Sequence, residues 1–357
     1  MIREVFERGY KRTNAESWRS ERRLERILWG DVPSFLEVPI AKKAEELQGA
    51  DAVVLGIPFE GIKCKSPSLL VPALATPAGP DSVYYRTGAD KAPDAVRKYS
   101  IHYSIEHSGL YFPDLVEDIV VLDHLQIVDY GNVSVLPDDP EESWQRAIAK
   151  VSDIVRSGAV PFVLGGDHSV PYPTVRGILN ETKRKIGIIG FDSHFDLSFE
   201  PKFWAGSQWA RILETEEIKV SNFVQVGIRG VHNTLTWKNI ASELGYKWFS
   251  MTEIKETGIV PVMKKAIDIA STGTDAIYVS LDIDVMDPAF VPAQKYPDVC
   301  GLTSWEMVKA LRMIATKEIA GFDVACLGPQ YDLNGISSLF VSRCILELLA
   351  GMALRKR

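Results

Sequence analysis

The sequence predicts an α/β fold: a single domain in three α/β/α layers, built on a mainly parallel sheet of roughly eight strands. Three observations predict it. Short apolar runs of strand length alternate with longer segments of helical period from residue 52 to the last helix, which is the pattern of βαβ units. Three of these runs end in clusters of Asp and His: GGDHS at 165–169, FDSHFD at 191–196 and DIDVMDP at 282–288. In open parallel sheets, ligands gather at the carboxyl ends of strands. No linker, composition break, internal repeat or low-complexity segment divides the chain.

The elements follow in order. Residues 1–49 are rich in Arg and Glu, with Trp18, Trp29 and Phe35 interspersed. They are expected to form one or two short helices, an N-terminal extension that packs on the outside of the 50–357 unit or on a neighbouring subunit. Residues 52–58 (AVVLGIP) are the first strand, and 59–82 read as a long loop rich in Pro and Gly. Residues 92–99 form a helix with Pro93 in its first turn. His102 and His107 follow without other ligand types in register and read as surface histidines. Residues 119–122 and 127–129 read as strands. The helix at 140–157 opens on Glu141 and Glu142, which complement its dipole.

Strand and helix then alternate. Strands are expected at 160–164, 186–191, 223–228, 247–249, 276–281 and 319–326. Helices are expected near 174–179 and at 233–244, 260–270, 304–314 and 337–354.

Composition excludes several classes. A net charge of −7 argues against a nucleic-acid surface. Cys64, Cys300, Cys326 and Cys344 are scattered without a CxxC pair, which favours a reducing, cytoplasmic setting over a disulfide framework. The first residues, MIREVFER, lack the apolar core of a signal peptide, and no apolar run is expected to approach membrane-spanning length.

The strand-end clusters carry the chemistry. His168, Asp192, His194, Asp196, Asp282 and Asp284 supply four carboxylates and two imidazoles. That set suits borderline-hard divalent ions, and it is too large for one ion. A pair of ions sharing bridging carboxylates fits it.

GGDHS, DSHFD and SLDIDVMDP together resemble the three signatures of the ureohydrolases, the arginase and agmatinase family. YRTGA at 85–89, APDAVR at 92–97, VGIRG at 226–230 and GLT at 301–303 also match, so the resemblance spans residues 50–353. It implies an arginase-like fold and a metal-dependent catalytic domain over 50–357. It also implies two divalent ions, Mn²⁺ or Ni²⁺: His168 and Asp196 on one, His194 and Asp284 on the other, Asp192 and Asp282 bridging. The implied reaction is hydrolysis of a guanidino C–N bond in a small cationic substrate, with Asp196 and His194 as catalytic residues and Asp196 moving the proton. Asp167 and Ser169 are expected to orient His168. Relatives assemble as trimers or hexamers, so the resemblance implies a homo-oligomer of that kind, or a hetero-oligomer with a paralogue.

The chain departs from the family's pattern in substrate handling. Where relatives carry a His-Gly pair, Ala205-Gly206 stands; where they carry a guanidinium-binding Glu, Cys326 stands in ACLGP; and VPAQKY at 291–296 replaces a Gly/Thr-rich turn. All six ligand residues remain. The expected substrate is therefore atypical: a small or N-alkylated guanidine, or a biguanide such as metformin. Cys326, Ser207, Phe203 and Trp204 are the expected substrate contacts, and Phe199 and Trp209 could add cation–π faces. Cys326 as a nucleophile needs a base, and no Cys/His pairing is visible. An ordinary agmatinase or guanidinobutyrase is one alternative. A non-catalytic partner subunit of an active paralogue is the other.

Overall fold

The structure is a computed structural model that describes residues 34–61, 86–103, 109–115, 117–136, 139–199 and 205–357. Eight strands form one sheet: β1 (Ala52–Ile57), β2 (Ile127–Asn132), β3 (Val160–Gly165), β4 (Ile186–Phe191), β5 (Phe223–Ile228), β6 (Lys247–Ser250), β7 (Ala276–Asp282) and β8 (Ile319–Ala325). Their spatial order is β2-β1-β3-β8-β7-β4-β5-β6, and every pairing is parallel. The inner strands β1, β4, β5 and β7 are buried at every position. That explains why they read as continuous apolar runs rather than alternating ones.

Among the described residues, nine helices have seven residues or more: α1 (Ala92–Ser100), α2 (Pro140–Arg156), α3 (Pro171–Glu181), α4 (Gln208–Glu214), α5 (Leu235–Leu244), α6 (Met251–Thr257), α7 (Ile259–Ser271), α8 (Ser304–Ile314) and α9 (Ile336–Lys356). α2 packs on α3, and α3 on α4. α1 packs on α9, α9 on α8 and α8 on α7. α1 and α2 both contact β1 and β3 yet belong to different groups, so the two groups cover opposite faces of the sheet.

Chain order reverses at the centre of the sheet. From β3 the chain crosses to β4, and β7 and β8 later fill the gap between them. The carboxyl ends of β3, β8, β7 and β4 therefore stand side by side at the topological switch, where parallel sheets bind ligands.

Three expectations are revised. Residues 119–122 do not form a strand. Val120 makes a single antiparallel bridge to Tyr111, and Val121–His124 then turns as a helix that buries Val121 and packs on α9. α4 and α6 were not expected from the sequence, since seven residues each are too few to show a helical period. Finally, the segment Leu333–Lys356 is long and apolar enough by composition to cross a membrane, contrary to expectation, but most of it is buried inside the fold.

The described part of the N-terminal extension consists of two 3-10 turns, Phe35–Glu37 and Ala44–Leu47. Phe35 is fully buried, and its amide donates to Asp129 Oδ2 at 2.8 Å. Asp129 also takes both arms of the buried Arg97 guanidinium. Trp18, Trp29, Cys64, His107 and most of the 59–82 loop lie outside the described residues. His102 is exposed, as expected.

Candidate metal centre

Each candidate ligand sits where a strand stops. His168 follows β3 by three residues, Asp192 follows β4, and His194 and Asp196 continue the same loop. Asp282 is the last residue of β7, and Asp284 lies in the 3-10 turn Ile283–Val285. Asp196 has a φ of +48°, in the left-handed region. Backbone strain of this kind concentrates at functional sites.

Close packing brings the β3 end into register. A Cβ on Gly166 would lie 1.9 Å from the Phe59 carbonyl oxygen, so only glycine lets the segment after β1 lie across the end of β3. Asp167 fastens that segment: its Oδ2 accepts from the Gly61 amide at 2.7 Å, and its Oδ1 accepts from the Ser169 amide at 3.0 Å. Asp167 and Ser169 thus tie the loop down. Their hydrogen bonds act on the backbone that carries His168 rather than on its ring.

The ring is oriented by residues the sequence reading missed. His168 Nε2 lies 3.3 Å from Ser280 Oγ, and Ser280 donates its hydroxyl to Asp323 Oδ1 at 3.1 Å. The serine oxygen is thereby left to accept from Nε2–H, which places the ring proton on Nε2 and frees the Nδ1 lone pair. Tyr278 donates to the other Asp323 oxygen. Trp209, fully buried on α4, meets the His168 ring edge-on at 5.7 Å. It therefore backs the imidazole and offers no open face for a cation.

Around His168 Nδ1 stand Asp196 Oδ2 at 2.9 Å, Asp192 Oδ2 at 3.1 Å and Asp282 Oδ2 at 3.3 Å. Around His194 Nδ1 stand Asp284 Oδ2 at 3.0 Å and Asp192 Oδ1 at 3.5 Å. N and O ligands sit about 2.0–2.2 Å from a small divalent ion, which puts neighbouring ligands roughly 3 Å apart. Two sets of atoms could each hold an ion, His168 with Asp192 and Asp282, and His194 with Asp192 and Asp284; Asp196 lies 2.9 Å from His168 Nδ1 but outside the first set. Asp192 belongs to both, with one oxygen towards each imidazole. Asp282 stands in the first group, and its Oδ1 accepts the Asp284 amide at 2.9 Å. Asp192 Oδ2 and Asp284 Oδ2 are buried without a hydrogen-bond partner among the described residues. Buried carboxylate oxygens demand compensation, which a cation shared by these groups would supply.

Electrostatics agree. Burial pushes the Asp192 and Asp282 carboxyls up, reinforced by the Asp196 charge at the first and the Asp284 charge at the second. Burial alone would depress both imidazoles, but the carboxylates outweigh it and hold His168 and His194 well above the ordinary value. Without a positive charge at the centre, the cluster binds protons instead.

The second group is held through Asp284 and the His194 backbone. Ser193 donates its hydroxyl to Asp284 Oδ1 at 2.7 Å. Gln225 donates to the His194 carbonyl at 3.0 Å, and Tyr246 donates to Gln225. Arg229, from the VGIRG stretch, donates to the carbonyls of Asp284, Val285, Met286, Asp298 and Val299 and so fixes the turn after β7. On the outer side the rings of exposed His232 and of Tyr296 lie 6.0 Å from the His194 ring.

Cys326 lies directly beyond β8 with a φ of +66° and is buried. Burial raises its thiol well above the ordinary value, and the adjacent Asp282 carboxylate, with which it hydrogen-bonds, raises it further. A thiol so held is not a thiolate nucleophile. The Lys295 amide donates to the Cys326 carbonyl at 3.1 Å, and the buried Lys295 ammonium lies 2.6 Å from Glu60. Ser207 is buried just before α4. Phe199 is exposed and receives the Arg211 guanidinium over its ring at 5.1 Å. Phe203 and Trp204 lie outside the described residues.

Fold and site together define a hydrolase-type α/β protein with a paired carboxylate–imidazole centre at the sheet's switch point. A profile of the Arginase family matches residues 50–351, and the chain belongs to that family, the ureohydrolases. It is a hydrolase of the class acting on C–N bonds. It is 28% identical over 303 residues to formimidoylglutamase of Bacillus subtilis (strain 168), covering 83% of this chain and 90% of the relative. It is 27% identical to the mitochondrial agmatinase of Gallus gallus, covering 89% and 85%. Among solved structures, proclavaminate amidino hydrolase from Streptomyces clavuligerus superposes with a TM-score of 0.74 at 25% identity, covering 91% and 98%. A hypothetical agmatinase from Burkholderia thailandensis gives 0.75 at 23% identity, covering 92% and 93%.

Proposed function

We propose that the chain hydrolyses a guanidino C–N bond, releasing urea or a substituted urea together with an amine. The observation that carries this reading is the pair of ligand groups sharing Asp192 at the ends of β3, β4 and β7. Two divalent ions, Mn²⁺ or Ni²⁺, held by His168, Asp192, His194, Asp196, Asp282 and Asp284 would supply Lewis-acid activation of water near neutral pH. The chain's own residues do the rest. Asp196 and His194 are the most open of the six, with side chains 13% and 12% exposed. Asp196 accepts a proton at its carboxylate and returns it to the departing nitrogen. His194, held by Ser193 and Gln225, keeps the second group in place.

The relatives' names span formimidoylglutamate, agmatine and guanidino acids, so family membership leaves the substrate open. The wall at Cys326 favours a small or N-alkylated guanidine or a biguanide such as metformin. A protonated, uncharged thiol stands there, with the Lys295 ammonium close behind it. A guanidinium with every N–H turned to that wall meets a thiol there, the neighbouring Asp282 being engaged by Cys326 and Glu60 by Lys295, whereas an alkylated nitrogen needs no acceptor. Phe203, Trp204 and Ser207 complete the proposed pocket.

Location in the cytoplasm, and assembly as a homo-oligomeric trimer or hexamer or with a paralogue, belong to the same reading. The deciding experiment is a screen for urea and amine release from guanidine, agmatine, arginine, 4-guanidinobutyrate, dimethylguanidine and metformin, with Mn²⁺ and Ni²⁺ separately. Release from at least one supports the function. No release from any by metal-loaded protein contradicts it and favours a non-catalytic subunit.

A further inference from the structure

We propose that Gln208 is a positioning residue for Asp196, holding that carboxylate beside His168 at the edge of the first ligand group. Gln208 is the first residue of α4 and is fully buried. Its Oε1 accepts from the Gly206 amide at 2.7 Å. That bond decides which end of the side-chain amide faces the centre, because a flipped amide would aim its oxygen at a carboxylate. Nε2 is therefore the inward atom. It donates to Asp196 Oδ2 at 2.6 Å and lies 3.1 Å from His168 Nδ1.

The two inner contacts differ in kind. A carboxylate oxygen can accept this bond and still offer a second lone pair to an ion. The imidazole nitrogen has one lone pair only, so its contact with Gln208 gives way when an ion takes it. The Asp196 bond is the one compatible with a loaded site. Among the described residues, the close polar contacts of the Asp196 carboxylate, from Gln208 Nε2 and with His168 Nδ1, both fall on Oδ2. Gln208 thus fixes the rotation of the most open carboxylate of the cluster, keeping Oδ2 turned towards His168. The residue carries no charge and adds none to the centre, so its effect runs through Asp196.

This inference rests on the six-ligand reading above, and the test separates the two. Mn²⁺ is titrated calorimetrically into the metal-free full-length chain, wild type and Gln208→Met. A hydrogen bond to a charged acceptor is worth about tenfold to hundredfold in affinity. Gln208→Met is expected to weaken one of two sites by that factor and leave the other unchanged. Gln208→Asn keeps an amide but is too short to reach Asp196, so it should lose the same site; it guards against misfolding of the first variant. The double variant Gln208→Met/Asp196→Ala should bind no worse than Asp196→Ala alone, because Gln208 acts through Asp196. Additive losses, or unchanged affinity at both sites in a folded Gln208 variant, overturn the proposal. A wild-type chain that binds no Mn²⁺ overturns the ligand reading itself.

Discussion

Asp192 reaches His168 with Oδ2 at 3.1 Å, and it reaches His194 with Oδ1 at 3.5 Å. One fully buried carboxylate thus spans two imidazoles from two different strand ends. Folding alone does not reward that arrangement. Carboxylates and imidazoles packed this tightly repel or trap protons unless a cation joins them.

The ligand set should be separable by substitution. His168→Ala and Asp282→Ala each remove a member of the first group, and elemental analysis should show a clear loss of metal in both. Unchanged metal content in both variants would refute the assignment.

The network behind His168 predicts a pH dependence. Burial raises the Asp323 carboxyl to about 6, against the opposing hydrogen bond from Tyr278. A carboxyl raised in the folded state holds a proton that the unfolded chain has already released. Its contribution to stability is therefore greatest below the unfolded value near 4 and is lost as pH rises to about 6. Thermal melts of metal-free wild type and Asp323→Asn should show the wild type losing ground to the variant by about 3 kcal/mol or less across that window. A difference that is flat in pH contradicts the raised value. Tyr278→Phe removes a donor to the charged form and should move the window upward.

Trp209 fills the space behind His168. Truncating a fully buried aromatic costs about 3–5 kcal/mol, so Trp209→Ala should lower the melting temperature of the metal-free protein by several degrees. Trp209→Phe should lose much less. An alanine variant as stable as wild type would mean that the ring is not part of the core.

Much of this was legible in the sequence, and the illegible part has a common cause. Buried parallel strands need apolar side chains on both faces, so β3 and β4 announce themselves as unbroken runs and β5, β7 and β8 as apolar runs with a single interior polar residue, and the residues just beyond β3, β4 and β7 announce the site. Gln208, Ser280 and Asp323 do not. Each is an ordinary polar residue whose partner lies 12 to 112 positions away; the strand order β3-β8-β7-β4 brings Ser280 and Asp323 to His168, and the turn from β4 into α4 brings Gln208 to Asp196. Trp209 was legible as an aromatic near the centre, but which way its ring faces depends on α4, a helix too short to leave a period. The 119–122 run has the composition of a strand, yet it finds Tyr111 and α9 as partners instead of the sheet.

Cys326 carries the substrate reading. Cys326→Glu would restore a carboxylate beside Lys295, and preference should shift from alkylated towards unsubstituted guanidines by about tenfold to hundredfold in kcat/KM. If wild type turns over agmatine as efficiently as any alkylated guanidine, the ordinary agmatinase reading replaces this one.

The count of bound ions per chain tests the central claim most directly. After loading with Mn²⁺ and removal of free metal, elemental analysis of the full-length protein should give two ions per chain, and Asp192→Ala, which removes the residue common to both groups, should lose both. One ion or none in the wild type, or two ions retained without Asp192, would contradict the paired centre.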